Sequence, residues 1–177
     1  MIELSEYKLE RLRQDGEFVL YRGLRESQSE ASPLSILALA PAAERPAPGS
    51  LRRFDHELSL KEDLDPAWAA RPLARTQHEG RSMLLLEDPG GVPLDLLLAG
   101  TMELGQVLSV AIGLSAALSQ LHGRGLIHKD IKPSNVLVNL ATDQAWLTGF
   151  GIASRLPRER QSPEPPELIV GTLAYMA

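Results

Sequence analysis

"GLIHKDIKPSNVLVN", Gly125 to Asn139, is the stretch whose reading decides the fold. Its polar residues His128, Lys129, Asp130, Lys132 and Asn135 stand between the apolar runs Leu126-Ile127 and Val136-Leu137-Val138. Ahead of it, from Met102 to about Gly123, Leu104, Val107, Leu108, Ala111, Ile112, Ser115, Leu118 and Leu121 recur at helical spacing, and Gly123 beside Arg124 is a stop signal. A long buried helix is expected there. Behind it, "NVLVN" and "QAWLT" read as short strands about the turn Ala141 to Asp143, followed by "GFGIAS" and the proline-stiffened "PRERQSPEPPE".

Further out toward the N-terminus the pattern changes to strands. "EFVLYRG" (Glu17 to Gly23) and "LSILALA" (Leu34 to Ala40) are apolar runs of strand length and are expected to pair antiparallel. After "PAAERPAPGS", Ser50 is placed to cap a helix through about Leu64, with Leu51, Phe54 and Leu58 on one side and Asp65-Pro66 ending it. "RPLARTQ" and "RSMLLLE" flank a turn at His78-Glu79-Gly80. "EDPGGVP", Glu87 to Pro93, marks a boundary, because strand-like composition gives way to helical composition after it.

Composition narrows the functional classes. The 177 residues, 44% of them hydrophobic, supply one sizeable core or two small lobes. A formal charge of -5 with scattered arginines offers no basic face for neutralising phosphates, which argues against nucleic acid as a partner. The absence of cysteine removes disulfides, thiolate metal sites and cysteine nucleophiles, and it fits a reducing compartment such as the cytoplasm. No run approaches the length of a membrane span, and the acidic start, Met1 to Glu10, is unlike a signal peptide, so the chain is expected not to be membrane-embedded.

Strand pairs, one helix, a glycine-marked hinge, a long helix, then "HKDIKPSN", "GFG" and "GTLAYMA" follow the order found in protein kinases, and the chain resembles the serine/threonine protein kinase family over almost its whole length. His128, Lys129, Asp130, Lys132 and Asn135 fall on the family's catalytic-loop pattern H-R-D-x-K-x-x-N with one conservative change. A charged turn that merely caps its neighbours is the alternative, against which the order and spacing of these residues argue. The resemblance implies that Asp130 accepts the substrate hydroxyl's proton, that Lys132 stabilises the transferring phosphoryl and that Asn135 holds a Mg²⁺ ion. It further implies that Thr172 links the substrate-binding loop to Asp130, and that His128 packs under Phe150 without doing chemistry. ATP and Mg²⁺ are the implied cofactors, with Glu57, Glu87, Gly149, Phe150 and Gly151 around the nucleotide.

The departures from the family pattern fall on that nucleotide. Gly149 stands where the family's metal-chelating aspartate would be, a loss on the order of 10³-fold or more in rate. Laid against G-x-G-x-x-G, "RQDGEF" puts Arg13, Asp15 and Phe18 at the glycine positions, and Asp15 brings a carboxylate where phosphates need N–H donors. The third strand has no lysine, and Ala38 is aligned with the missing one. Its helix partner is retained as Glu57, which reads either as that partner or as an ordinary solvated helix glutamate. ATP and Mg²⁺ binding is therefore expected to be weakened.

The expected architecture is α+β and two-lobed: an N-terminal antiparallel sheet lobe over 1–86, a hinge over 87–91 and part of a mostly helical lobe over 92–177. The expected function is that of a serine/threonine-type pseudokinase serving as a regulatory module, with an atypical active kinase and a purely structural domain as alternatives. The chain reads as a piece of a longer protein, which would leave Leu118 and Leu121 partly exposed. "KPSNVLVN" together with "LTGFGIASRLPRERQSPEPPE" is also similar to the N-terminal kinase-like domain of large bacterial sensor histidine kinases. Its expected partners are accordingly proteins or other domains of the same chain. Arg155, Arg158, Arg160, Ser162 and "PEPPE" (Pro163 to Glu167) mark the loop before Thr172 as a candidate recognition surface.

Overall fold

The computed structural model describes residues 2–25, 33–156 and 171–175. Strands β1 (Lys8–Asp15), β2 (Phe18–Leu24) and β3 (Ser35–Pro41) form an antiparallel meander. Helix α1 (Pro48–Ser59) follows, then the hairpin β4 (Pro72–His78) and β5 (Arg81–Glu87). Together they form a five-stranded sheet in the order β1-β2-β3-β5-β4.

The central strand β3 is a continuous apolar run because both sheet faces are covered. Leu37 and Leu39 point to one side, into a core with Leu20, Phe54, Leu84 and Leu86; Ile36, Ala38 and Ala40 point to the other, with Leu4, Tyr7, Met83 and Leu85. This alternation corrects the expected alignment of Ala38 with the missing lysine. Leu39, paired with Leu20, is the β3 residue that faces the interlobe cleft, while Ala38 is turned to the opposite face.

α1 departs from expectation at both ends. Its N-cap is Ala47, with Pro48 pre-set in the first turn, and Ser50 lies inside the helix, its hydroxyl donating to Glu17 at 2.5 Å. It stops at Ser59, five residues before Leu64, because Leu60 to Leu64 coil into turns that seat Leu60 and Leu64 in the second lobe's core.

The segment that leaves β5 is fastened by Asp88. Its carboxylate accepts from Arg22 Nε at 2.7 Å and Nη2 at 3.1 Å and from the Ser35 hydroxyl, and Arg22 also donates to the Gly91 carbonyl at 2.6 Å. Beyond it come β6 (Val92–Pro93), the short helix α2 (Leu94–Leu97) and the helix α3 (Leu104–Gly123), which opens on a capping box between Glu103 and Gln106. Strands β7 (Leu126–Ile127), β8 (Val136–Asn139), β9 (Gln144–Leu147) and β10 (Ser154–Arg155) form two small sheets, β6-β8-β9 and β10-β7.

α3 is buried on one face only. Val110, Ala117 and Leu121 enter the core with Trp68, Val136, Leu147 and Phe150, whereas Leu104, Leu108 and Ile112 are exposed. The side left open therefore lies nearer the start of the helix than expected: Leu121 is fully buried and Leu118 packs against the core. The expectation that no run approaches a membrane span is also corrected, since Leu104–Gly123 is 20 residues long and apolar enough by length and composition. On its packed side the helix approaches β9 closely, and a Cβ built on Gly113 would stand 3.2 Å from the Ala145 Cβ.

Candidate active site

A cavity of about 250 Å³ lies between the lobes, walled by Phe18, Leu20, Leu39, Phe54 and Leu86 above and by Asp130, Lys132, Asn135, Thr148 and Gly149 below. Pro133–Asn135 forms a single 3-10 turn running into β8, and this turn fixes the spacing of Lys132, Ser134 and Asn135. Asn135 Nδ2 donates to the Asp130 carbonyl at 2.8 Å and to Asp130 Oδ2 at 3.0 Å. Thr172 Oγ1 donates to Asp130 Oδ1 at 2.6 Å, and Lys132 Nζ reaches Thr172 Oγ1 at 3.1 Å and Asp130 Oδ2 at 3.2 Å. The predicted residues Asp130, Lys132, Asn135 and Thr172 thus form one connected network, in which the carboxylate is oriented from two sides and partly neutralised.

His128 sits beneath this network, 1% exposed. Its Nδ1 accepts the Asp130 N–H at 3.3 Å, and its Nε2 lies 2.9 Å from the Thr148 carbonyl. A carbonyl can only accept, so Nε2 carries the proton. Burial holds the imidazole down to about 4 against the opposing pull of the Thr148 carbonyl, keeping it neutral. Its ring centroid is 4.7 Å from that of Phe150, which is itself fully buried and edge-on to Trp68. His128 therefore supports Phe150, as the motif implied.

Glu57 is brought to the cleft from α1, but it is not solvated, and among the described residues no cation pairs with it. It is 2% exposed, and its Oε1 has no hydrogen-bond partner among them. Burial raises its carboxyl to about 7, against backbone hydrogen bonds from Phe150 and Gly149. Leu39 shares the cavity wall with it where a cation would be needed. Glu87 does not join the cavity: its carboxylate takes Arg71 at 2.7 Å, and its N–H donates to the Arg71 carbonyl at 2.8 Å.

The lower wall is poorly suited to a metal. Gly149, at φ +77°, has no carboxylate to offer, and a Cβ built there would stand 2.8 Å from Asn135 Oδ1. That oxygen, the predicted metal ligand, faces the guanidinium of Arg13 at 3.5 Å. Asp130 and Asp15 are already bound to Lys132, at 3.2 and 2.7 Å. Among the described residues no cluster of three or more His, Cys, Asp or Glu side chains could hold a metal ion. The residues present do not fit a Mg²⁺ ion as the family motif arranges it, and no phosphates can be placed against a β3 lysine or glycine loop that the chain lacks.

Arg13 and Asp15 are the site residues that sequence reasoning missed as contacts. Motif comparison places both at glycine positions and brings the Asp15 carboxylate toward the phosphates, but it gives no sign of their contacts with Asn135, Lys132 and Ser134. Arg158, Arg160, Ser162 and the Pro163 to Glu167 stretch lie outside the described residues. Arg155 is paired with Asp63, at 3.1 Å through Nη1.

The protein kinase domain family matches residues 57–177, so β1 to β3, where the glycines and lysine are missing, precede the match. The chain is 42% identical over 78 residues to the serine/threonine-protein kinase AfsK of Streptomyces griseus, covering 44% of this chain and 9% of that protein. It is 29% identical over 133 residues to the serine/threonine-protein kinase pkn2 of Myxococcus xanthus, covering 73% and 16% respectively. It is 33% identical over 129 residues to the serine/threonine-protein kinase PknJ of Mycobacterium bovis, covering 71% and 22%. The chain spans less than a quarter of the length of each of these relatives. A connected Asp130-Lys132-Asn135-Thr172 network under an antiparallel sheet lobe agrees with those matches, and the chain belongs to the protein kinase family as a member of its serine/threonine type.

Proposed function

We propose that this domain is a pseudokinase, a serine/threonine kinase fold that works as a regulatory module in bacterial signal transduction and does not transfer phosphate at a useful rate. One observation carries the reading: Gly149 offers no metal ligand, and the space its side chain would need is filled by the Asn135 amide. ATP and Mg²⁺ belong to the family's chemistry, and phosphoryl transfer depends mainly on charge compensation by metal and lysine. Here Leu39 and Gly149 remove one contributor from each lobe.

A γ-phosphate transfer assay with Mg²⁺ on the full-length protein tests this. The expected result is no turnover above that of Asp130→Asn. Robust Mg²⁺-dependent turnover lost in Asp130→Asn would establish the second reading, an atypical kinase, which the intact contacts of Asp130 with Asn135 and Thr172 favour. We further infer a cytoplasmic role beside other domains of a longer chain, a reading that rests on the sequence resemblance of the segment from Lys132 onward to sensor histidine kinase heads. Deleting this domain from that parent and measuring its signalling output tests the role, and an unchanged output would remove it.

A further inference from the structure

The catalytic-loop pattern and the lost metal ligand leave Arg13 and Asp15 without a function, although both reach from the sheet lobe into the cleft. β1 pairs Arg11 with Tyr21 but Arg13 with Leu20, so Leu12 is an extra residue in a β-bulge. Such a bulge shifts the alternation of side chains, and beyond it Arg13 and Asp15, two residues apart, share the cleft-facing side with Leu20. A tight turn at Gly16, φ +47°, then closes the hairpin directly over the catalytic loop.

We propose that the β1–β2 hairpin is a self-occluding latch: the Asp15 carboxylate occupies the anion position at Lys132 and Ser134, and the Arg13 guanidinium covers the Oδ1 face of Asn135. The chain thereby spans its own cleft with an internal ion pair between the sheet lobe and the catalytic loop. Asp15 Oδ2 lies 2.7 Å from Lys132 Nζ and accepts from Ser134 Oγ at 2.9 Å. Arg13, 7% exposed, has Nη2 3.5 Å from Asn135 Oδ1 and Nη1 3.6 Å from Asp15 Oδ2. Burial lowers the Arg13 pKa against the charges of Asp95, Asp15 and Asp130. For Asp15, burial alone would raise the carboxyl, but hydrogen bonds from Lys132 and Ser134 and the charges of Lys132 and Arg13 outweigh it and hold it below its ordinary value.

The charges make the latch depend on both members. Lys132 also contacts Asp130, but Arg13 and Lys132 are two cations in one cleft, and Asp15 is the carboxylate that bridges them. Without Asp15 their repulsion favours an open hairpin; without Arg13 the Oδ1 face of Asn135 is uncovered. The inference rests on the non-catalytic reading only in assigning closure to the chain itself instead of to a nucleotide.

The test compares the intact wild-type chain with Asp15→Asn, which is close in size, and Ser134→Ala, which removes one hydrogen bond to Asp15. Acylation of Lys132 by an amine-reactive ester is followed by mass spectrometry, with the exposed Lys129 as internal reference, together with amide exchange over 11–18. The expected result is a rise of about tenfold in Lys132 labelling relative to Lys129, and in hairpin exchange, for Asp15→Asn, with a smaller rise for Ser134→Ala. Labelling and exchange at wild-type levels in both variants would overturn the latch, whatever a transfer assay shows. A variant Asp15→Asn that opens the hairpin and gains Mg²⁺-dependent transfer would uphold the latch and overturn the pseudokinase reading. Should Asp15→Asn not fold, the Ser134→Ala result decides by the same measure.

Discussion

A Cβ on Gly149 would lie 2.8 Å from Oδ1 of Asn135, so the position where the family carries its metal-chelating aspartate is sterically closed by another member of the same site. Asn135 is 5% exposed and cannot move aside without breaking its two hydrogen bonds to Asp130. Gly149→Asp is therefore expected to destabilise the domain by roughly 1–3 kcal/mol and to restore no transfer, because the β3 lysine and the loop glycines remain absent. Urea denaturation and a transfer assay check both parts. Turnover gained from this single change would show that the amide gives way.

The side-chain alternation of β3 makes an asymmetric expectation. Ala38→Lys puts an ammonium among the buried side chains of Ile36, Met83 and Leu85, at a cost of about 3 kcal/mol or more. Leu39→Lys points into the cavity that Glu57 also lines and is expected to cost at least ~1 kcal/mol less. Equal destabilisation of the two variants in chemical denaturation would contradict the assignment of Leu39 to the cleft.

Glu57 and His128 titrate in opposite senses. Glu57 is raised from 4.5 to about 7 in the fold, so its protonated form stabilises below 4.5 and that stabilisation is lost as pH rises to about 7. His128 is lowered from 6.5 to about 4, so its contribution is full above 6.5 and is lost as pH falls to about 4. Each amounts to on the order of 3 kcal/mol, and between pH 4.5 and 6.5 their slopes cancel. Glu57→Gln is expected to unmask the histidine: stability then rises with pH by about 1.4 kcal/mol per unit across that window, and at pH 8 the variant exceeds wild type by roughly 1–3 kcal/mol. Denaturation midpoints at several pH values check it, and parallel curves for the two proteins would refute the burial of Glu57 as a neutral acid.

In the segment that leaves β5, the Asp88 side chain is 2% exposed, and Arg22 grips it in a bidentate contact. Asp88→Ala leaves the largely buried Arg22 guanidinium with the Gly91 carbonyl as its remaining partner among the described residues, at an expected cost of ~2–4 kcal/mol. The double variant with Arg22→Ala is expected to lose clearly less than the sum of the two single changes. Additive losses would show that the pair is not coupled.

Much of this was legible in the chain itself. The spacing of Asp130, Lys132 and Asn135 is local, so one 3-10 turn after a helix of fixed length brings them together without help from distant residues. Gly90 and Gly91 punctuate the segment after β5, and the apolar run over Leu34 to Ala40 reads as a strand that pairs antiparallel, as β3 does. What sequence could not supply was pairing between strands. A single extra residue at Leu12 decides whether Arg13 faces the cleft, and register against β2 and β5 decides that Leu39, not Ala38, lines it. A polar helix residue such as Glu57 has no periodic signature of burial, and it is tertiary packing that takes it out of water and brings the backbone of Phe150 and Gly149 to hydrogen-bond it. Spacing within one segment fixed the catalytic loop; the bulge, the register and the packing of distant segments decided what fills the cleft, because these depend on which backbones meet and not on the order of residues along one of them.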